Sequence, residues 1–151
     1  MSSDKSGEFE ISFSSDIGYL DLVQSLSDNI GSMLGFDSDA QYWIGLSLRE
    51  SVINAIQHGN KQDRSKMVKV RFEFRPDRLV ILVRDEGHGL KEADIPDPLQ
   101  PGNLLKPGGR GIFFVRSFMD RVAFNVRPKG GLEVRMEKRM NRKNEGDEND
   151  D

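Results

Sequence analysis

The chain has 151 residues, of which 36% are hydrophobic and 31% are charged, and its formal net charge is −3. This length favours one domain that buries a sizeable core, and the charged fraction favours a soluble protein. The slightly negative charge gives no electrostatic support for direct nucleic-acid binding. The sequence contains no cysteine, which excludes disulfides, thiolate metal sites and cysteine nucleophiles and is compatible with a cytoplasmic location.

Both ends of the chain are polar. The first eight residues lack the apolar stretch of a signal peptide, and no apolar run approaches the roughly 18 residues of a membrane span, so we expect no membrane association. Residues 1–7 are mostly small and polar, and residues 139–151 are mostly charged and end in acidic residues. We predict that they are disordered, because they cannot bury enough apolar area to offset the entropy of ordering. The folded domain is then predicted over residues 8–138.

The first part of the chain predicts one strand followed by two helices. Apolar and polar residues alternate over 9–13, which is typical of a half-buried strand. Over 16–34 the apolar residues recur every three or four positions, which predicts an amphipathic helix that ends at Gly35. A second helix is predicted to start near Asp37 or Ser38, either of which is able to cap it, and to run to about Gly59.

The second part of the chain predicts a strand-rich region interrupted by a long loop. The predicted strands cover 68–74, 79–83, 122–126 and 132–136; a glycine- and proline-rich loop covers 86–109, and a third helix follows Gly111. The continuous apolar run at 79–83 favours a central position in the sheet. Helices grouped between runs of strands indicate an α+β fold, namely a two-layer α/β sandwich with a mixed sheet and helices on one face.

A polar stripe runs along the second helix, most of which is apolar. At about 100° per residue, Ser47, Glu50, Asn54, Gln57 and His58 fall on one side. Asn54 offers an amide oxygen suited to Mg²⁺, and Glu50, one turn away, offers a carboxylate that is able to deprotonate a hydroxyl or water. His58 is a candidate contact for phosphate. Two plainer readings stay open: a stripe that only faces solvent, and a structural histidine at a helix end.

An acidic residue directly follows the apolar strand at 79–83. Asp85 continues the inward face of that strand, which is an unusual place for an acid, and its carboxylate is suited to accept a hydrogen bond from an exocyclic amine such as that of adenine. Gly87 and Gly89 allow the backbone to approach a flat ligand closely. The alternative is an ordinary turn, since Asp-Glu-Gly is common in turns.

A glycine cluster precedes the third predicted helix. Gly109 and Gly111 lie in the segment 108–111, where exposed backbone N–H groups and the helix dipole favour phosphate, and Lys106 and Arg110 add positive charge. A flexible loop before a helix start is the alternative. Neither the P-loop spacing nor a strand-coupled dinucleotide fingerprint is present, so a nucleotide site here is of another type.

The three motifs together resemble the conserved boxes of the GHKL ATPase superfamily. Glu50-x-x-x-Asn54-x-x-x-His58-Gly59 resembles its N box, the segment 85–89 its first glycine box, and the segment 109–111 its second. The resemblance covers about residues 8–138. Within the superfamily the chain is most similar to the stand-alone anti-sigma factor serine kinases of bacteria, of the sigma-B and sigma-F regulator type.

This resemblance implies a Bergerat-type site for ATP and Mg²⁺. In it Asp85 would contact the adenine amine, Asn54 would hold Mg²⁺, Glu50 would act as general base, and the segment 90–108 would form the ATP lid. It also implies a homodimer that binds a sigma factor and phosphorylates a serine of an anti-anti-sigma (STAS-domain) protein. Phosphoryl transfer needs mainly positioning and charge neutralisation, which these groups supply.

The chain departs from the family pattern in two places. Leu132 occupies the position of a threonine that usually helps the aspartate to hold adenine, so adenine recognition is expected to be altered. The lid segment 96–107 keeps only its final Lys-Pro. Two other functions stay open: an ATP-binding regulatory module that sequesters a partner without catalysis, and the catalytic half of a histidine kinase, which would need a separate phosphoacceptor subunit.

Overall fold

The structure is a computed structural model, and it describes residues 6–87, 115 and 118–140. Within these residues it contains a five-stranded sheet and two α-helices, which confirms the predicted α+β class. The strands are β1 (Gly7–Ser14), β2 (Met67–Phe74), β3 (Arg78–Arg84), β4 (Arg121–Val126) and β5 (Leu132–Arg139), in the spatial order β1-β2-β3-β5-β4. The helices are α1 (Leu20–Leu34), preceded by a 3-10 turn (Ile17–Tyr19), and α2 (Ser38–Asn54).

The junction between the two helices follows the predicted stop and start signals. Gly35 adopts a left-handed conformation with a φ of 82°, and the N–H groups of Gly35 and Phe36 bond carbonyls in the last turn of α1. The side chain of Asp37 then accepts a hydrogen bond of 2.8 Å from the N–H of Ala40. The chain therefore reverses direction within a few residues, and α2 packs against α1.

The end of α2 departs from α-helical geometry. The helical conformation continues to Gly59, as predicted, but Ala55–Gly59 forms a π-helical turn. The N–H of Asn60 bonds the carbonyl of Ala55 at 2.8 Å, five residues back rather than four. A π-turn advances by less than 100° per residue, so the predicted α-helical stripe ends at Asn54.

The sheet is antiparallel at each of its four described pairings, so the prediction of a mixed sheet is wrong for these strands. The reason lies in the order of the strands. The connection from β3 places β4 at the sheet edge, where it runs in the same direction as β3. A tight turn then returns β5 between them, and β5 pairs with each in the opposite direction. The prediction that β3 is central is confirmed.

One face of the sheet packs against the helices and forms the hydrophobic core. From the sheet, the core takes buried side chains of alternating strand residues: Phe13, Val68, Val70, Phe72, Leu79, Ile81, Val83 and Met136. From the helices it takes Leu20, Val23, Ile30, Ile44, Leu48, Val52 and Ile56, and Val115 and Met119 are buried in the same cluster. The helices therefore lie on one face of the described sheet, as predicted.

Charged side chains lie on the other face of the sheet. Val80 and Leu82 of β3 point to that side and are only 0% and 6% exposed, although they lie outside the core cluster. Their cross-strand neighbours on both sides are charged, namely Arg71, Glu73, Arg135 and Glu137. Because long charged side chains cover apolar surface with their stems, this layer buries the central strand without a second set of helices.

Some predicted elements lie outside the described residues. These are most of the long loop, from residue 88 onward, most of the third helix, and the predicted tails apart from residues 6, 7, 139 and 140. Strand β1 begins at Gly7 and β5 ends at Arg139, each one residue beyond the predicted domain limits. In the described part of the chain, no helix has both the length and the apolar character needed to cross a membrane.

Replacing Asp37 tests whether the cap bond stabilises α2. Asp37→Ala removes the acceptor for the Ala40 N–H, and we expect the free energy of unfolding in urea to fall by about 1 kcal/mol. Asp39→Ala is the matched control, because Asp39 is an acidic residue in the same first turn. It removes the same charge but not the cap bond, so equal losses in the two variants would contradict this role.

Candidate functional site

The aspartate that follows β3 is buried and held in one orientation. Asp85 is 5% exposed, on the same side of the strand as Ile81 and Val83 of the core. Its Oδ1 accepts hydrogen bonds from the backbone N–H of Gly87 at 3.0 Å and of Leu132 at 3.1 Å. One oxygen of the carboxylate is therefore committed to the protein backbone.

The main chain of Asp85 is fixed as well. Its N–H donates to the carbonyl of Leu132 at 3.0 Å, which extends the β3–β5 ladder by one residue. Its carbonyl accepts a hydrogen bond of 2.6 Å from Nη1 of Arg127. Arg127 lies in the turn between β4 and β5, where its N–H bonds the carbonyl of Gly131 at 2.9 Å. The turn between the last two strands thus holds the end of the central strand.

Three glycines surround Asp85 so closely that a side chain would not fit. A Cβ at Gly59 would lie 2.2 Å from Oδ2 of Asp85, and a Cβ at Gly131 would lie 2.1 Å from the Asp85 carbonyl oxygen. A Cβ at Gly87 would lie 2.3 Å from the carbonyl oxygen of Gly59. These separations are far below van der Waals contact. Gly59 therefore brings the end of the π-turn directly against the Asp85 carboxylate.

The electrostatic environment of Asp85 is unfavourable to its charged form. Burial raises the pKa of this carboxyl above its ordinary value. The two backbone N–H groups on Oδ1 lower the pKa, as do the charges of Arg127 and Lys66, but burial outweighs them. A buried acid with a perturbed pKa beside a turn is characteristic of functional sites, because a ligand that donates a hydrogen bond offsets part of the cost of burial.

The predicted Glu50 and Asn54 lie one turn apart on α2, and both are partly buried. Among the hydrogen bonds within the described part of the chain, none involves either side chain. No cluster of three or more His, Asp or Glu side chains that would hold a metal by itself occurs in that part. A magnesium ion at Asn54 would therefore take most of its ligands from phosphate and water, which is how proteins usually bind it.

The remaining predicted site residues are either exposed, buried inside the helix or outside the described part of the chain. Gln57 and His58 are exposed and belong to the π-turn rather than to the α-helical stripe, whereas Ser47 is buried in the helix interior. Gly89, Lys106, Gly109, Arg110 and Gly111, with the predicted lid, lie outside the described residues. Their roles stay predictions.

Two residues around Asp85 were missed by the sequence analysis. Arg127 bonds the Asp85 carbonyl from the β4–β5 turn. Asn60 bonds the N–H of Glu86, the residue after Asp85. Both contacts join positions far apart in the sequence, and neither residue type is unusual in a turn. In the sequence, only the glycines at positions 59, 87 and 131 indicated that backbone segments pack closely here.

Comparisons with known proteins identify the family of this chain. The family model described as histidine kinase-like ATPase domain matches residues 13–138. The chain is 29% identical to the serine-protein kinase RsbW of Bacillus subtilis (strain 168) over 130 residues, 82% of this chain and 79% of the relative. It is 30% identical to RsbW of Bacillus licheniformis over 130 residues, 82% and 80% of the two chains. It is 37% identical to the anti-sigma F factor of Heyndrickxia coagulans over 100 residues, which are 63% of this chain and 67% of the relative.

The raised pKa of Asp85 predicts how stability depends on pH. The unfolded chain titrates near the ordinary value of 3.8 and the native chain at a higher pH, so between the two values the native state binds more protons. Stability therefore falls as pH rises through this window. Asp85→Asn keeps an oxygen acceptor for the two N–H groups but does not titrate. We expect it to raise Tm near neutral pH, by about 2–4 °C for each 1 kcal/mol relieved.

The measurement is thermal unfolding from about pH 4 to about pH 7.5, compared with the parent chain. The advantage of Asp85→Asn should be largest at the upper end and shrink as the pH approaches 3.8. Asp77→Asn, at the exposed start of β3, is the control for loss of one negative charge. A difference in Tm that does not change with pH would show that the Asp85 carboxyl is not destabilised by burial.

Proposed function

Because the chain belongs to the histidine kinase-like ATPase domain family, we propose that it is an ATP-dependent protein serine/threonine kinase that acts as an anti-sigma factor. The observation that carries the nucleotide site is the Asp85 carboxylate. It is buried, held through Oδ1 by two backbone N–H groups, and enclosed by glycines at the end of the central strand. An acceptor fixed in this way suits an exocyclic amine on a flat base.

The nucleotide base would lie against the turn that follows Asp85. The carboxylate accepts the hydrogen bond of the adenine amine. Gly87 and Gly89 are assigned to the base side from their sequence motif, because glycine lets a backbone approach a flat ring closely. On the phosphate side we assign Lys106, Gly109, Arg110 and Gly111 from their sequence motif, with His58 as a further phosphate contact. Leu132 holds Asp85 only through its backbone, because its side chain has no hydroxyl.

Glu50 and Asn54 would serve the transfer step. Asn54 offers its amide oxygen to Mg²⁺, which when bound neutralises charge on the transferring phosphoryl group. Glu50 accepts the proton of the acceptor serine hydroxyl. At the same time the serine oxygen bonds to the γ-phosphorus of ATP, and the bond between that phosphorus and the oxygen that leaves with ADP breaks. Neither side chain is hydrogen-bonded within the described part of the protein, which leaves both available to a substrate.

The partners are proposed from the relatives. Proteins named serine-protein kinase and anti-sigma F factor align with most of this chain, which supports a protein serine as phosphate acceptor and a sigma factor as binding partner. We propose that the acceptor serine belongs to an anti-anti-sigma (STAS-domain) protein, that the kinase acts as a homodimer, and that it acts in the cytoplasm. Partner exchange after phosphorylation would release the sigma factor.

Replacing Asp85 tests the base contact. Asp85→Asn replaces the carboxylate by an amide whose N–H₂ group opposes that of adenine, and we expect the Kd for ATP, measured by calorimetry, to rise about 10- to 100-fold. Asp77→Asn should leave the Kd unchanged. If Asp85→Asn bound ATP as tightly as the parent chain, the base would lie elsewhere and the proposed site would be wrong.

Replacing Glu50 separates binding from transfer. We expect Glu50→Gln to keep the Kd for ATP and to slow phosphate transfer about 10²- to 10⁴-fold, because general-base assistance is lost. Glu10→Gln, on the charged face of the sheet, is the control. The acceptor is identified first, by purifying the chain with its bound proteins from the native host in Mg-ATP. Transfer that persists in Glu50→Gln would remove Glu50 as base, and no transfer by the parent chain would favour a non-catalytic ATP-binding module.

A further inference from the structure

A buried asparagine connects three separate segments next to the candidate site. Asn60 directly follows the π-turn and is 1% exposed. Its Oδ1 accepts a hydrogen bond of 2.7 Å from the N–H of Glu86. Its Nδ2 donates to Oγ of Ser15 at 2.8 Å and to the carbonyl of Met67 at 3.1 Å. The amide thus bonds the end of β1, the start of β2 and the turn after β3.

The groups that bond Asn60 are themselves fixed. The Ser15 hydroxyl donates to the carbonyl of Lys66 at 2.7 Å. The Glu86 carboxylate accepts a hydrogen bond of 2.6 Å from the N–H of Met67. The backbone of Asn60 is anchored by the bond from its N–H to the carbonyl of Ala55. Asn60 is therefore a rigid support rather than a side chain that adapts to its surroundings.

Asn60 acts on the peptide unit that joins Asp85 to Glu86. Asn60 holds the N–H end of this peptide while Arg127 holds its carbonyl end. The next N–H, that of Gly87, is related to this peptide through the two backbone dihedral angles of Glu86. The Gly87 N–H is one of the two donors to Oδ1 of Asp85. The carbonyl of Gly59, directly before Asn60, also packs against Gly87. A shift at position 60 is thus transmitted to the carboxylate through two hydrogen bonds and the two peptides on either side of Glu86.

We propose that Asn60 is a positioning residue that sets nucleobase selectivity by fixing the orientation of the Asp85 carboxylate. This inference rests on the proposed function, because it assumes that Asp85 contacts the exocyclic amine of the base. Position 60 needs one acceptor toward Glu86 and donors toward Ser15 and Met67, which a carboxamide of this length supplies. A carboxylate there would direct an acceptor at the Met67 carbonyl, and a hydrocarbon would leave the Glu86 N–H buried without a partner.

The readout is the ratio of the Kd for ITP to the Kd for ATP. Inosine carries an oxygen where adenosine carries the exocyclic amine, so the ratio measures how well the Asp85 carboxylate is aligned with that position. A purely structural role would lower the fraction of folded protein and affect both nucleotides equally, which leaves the ratio unchanged. The ratio therefore distinguishes positioning from general stabilisation.

The test variant is Asn60→Asp in the full chain, with both Kd values measured by calorimetry in Mg²⁺ buffer. We expect the ratio to fall about tenfold relative to the parent chain. Gln41→Glu is the matched control. It also turns a carboxamide that donates to a backbone carbonyl, that of Phe36 at 2.7 Å, into a carboxylate, but at the opposite end of α2. Its ratio should equal that of the parent chain.

Two results would overturn the inference in distinguishable ways. If the parent chain prefers ATP and Asn60→Asp keeps the same ratio, Asn60 does not position Asp85 although the proposed function stands. If the parent chain does not prefer ATP over ITP, the base contact of Asp85 fails and this inference fails with it. If circular dichroism shows that Asn60→Asp is unfolded, the same ratio of Kd values is measured for Ser15→Ala instead. It removes one support of the amide, and we expect the ratio to fall about threefold, whereas an unchanged ratio contradicts the role.

Discussion

The buried carboxylate of Asp85 is the constraint on which the rest of the site depends. A charged group in a largely water-free position costs free energy unless it is hydrogen-bonded, and here the bonds come from the backbone of Gly87 and Leu132. Those bonds are possible only because β5 lies beside β3 and because glycines at 59, 87 and 131 let three backbones meet. The strand order, the turn between β4 and β5 and the end of α2 therefore converge on one side chain.

The two faces of the sheet explain why this polar site lies at the end of the strands. On one face the central strand packs into the core under the helices, and on the other it is covered by charged side chains of its neighbours. Within the described residues, the middle of β3 is therefore covered on both faces. At its end the ladder gives way to a turn, and α2 widens into a π-turn there. Asp85, the residue directly after β3, lies at this end of the sheet beside the π-turn.

Patterns within a short stretch of sequence predicted most of the fold. Alternation over 68–74, the apolar run at 79–83 and the stop at Gly35 are confirmed, and of the two predicted cap residues Asp37 is the one that caps α2. These features are predictable because burial and capping leave a local signature. The antiparallel sheet and the π-turn were not predicted, since strand order depends on the whole chain and a 100° periodicity assumes a regular helix. Asp85 was identified for its acid after an apolar strand, whereas its supports Asn60 and Arg127 act over long sequence separations that no local pattern reveals.

The way in which Asp85 is held also bears on how the site selects its ligand. Leu132 donates its N–H to the carboxylate but has no side-chain hydroxyl to share in a base contact. Under the proposed function, selection then depends on the orientation of the carboxylate more than on a second polar side chain at that position. Orientation is set by backbone groups, and these in turn are fixed by Arg127 on one side and by Asn60 on the other. Under the proposed function, Arg127 and Asn60 would therefore contribute to recognition of the base through the backbone that they hold.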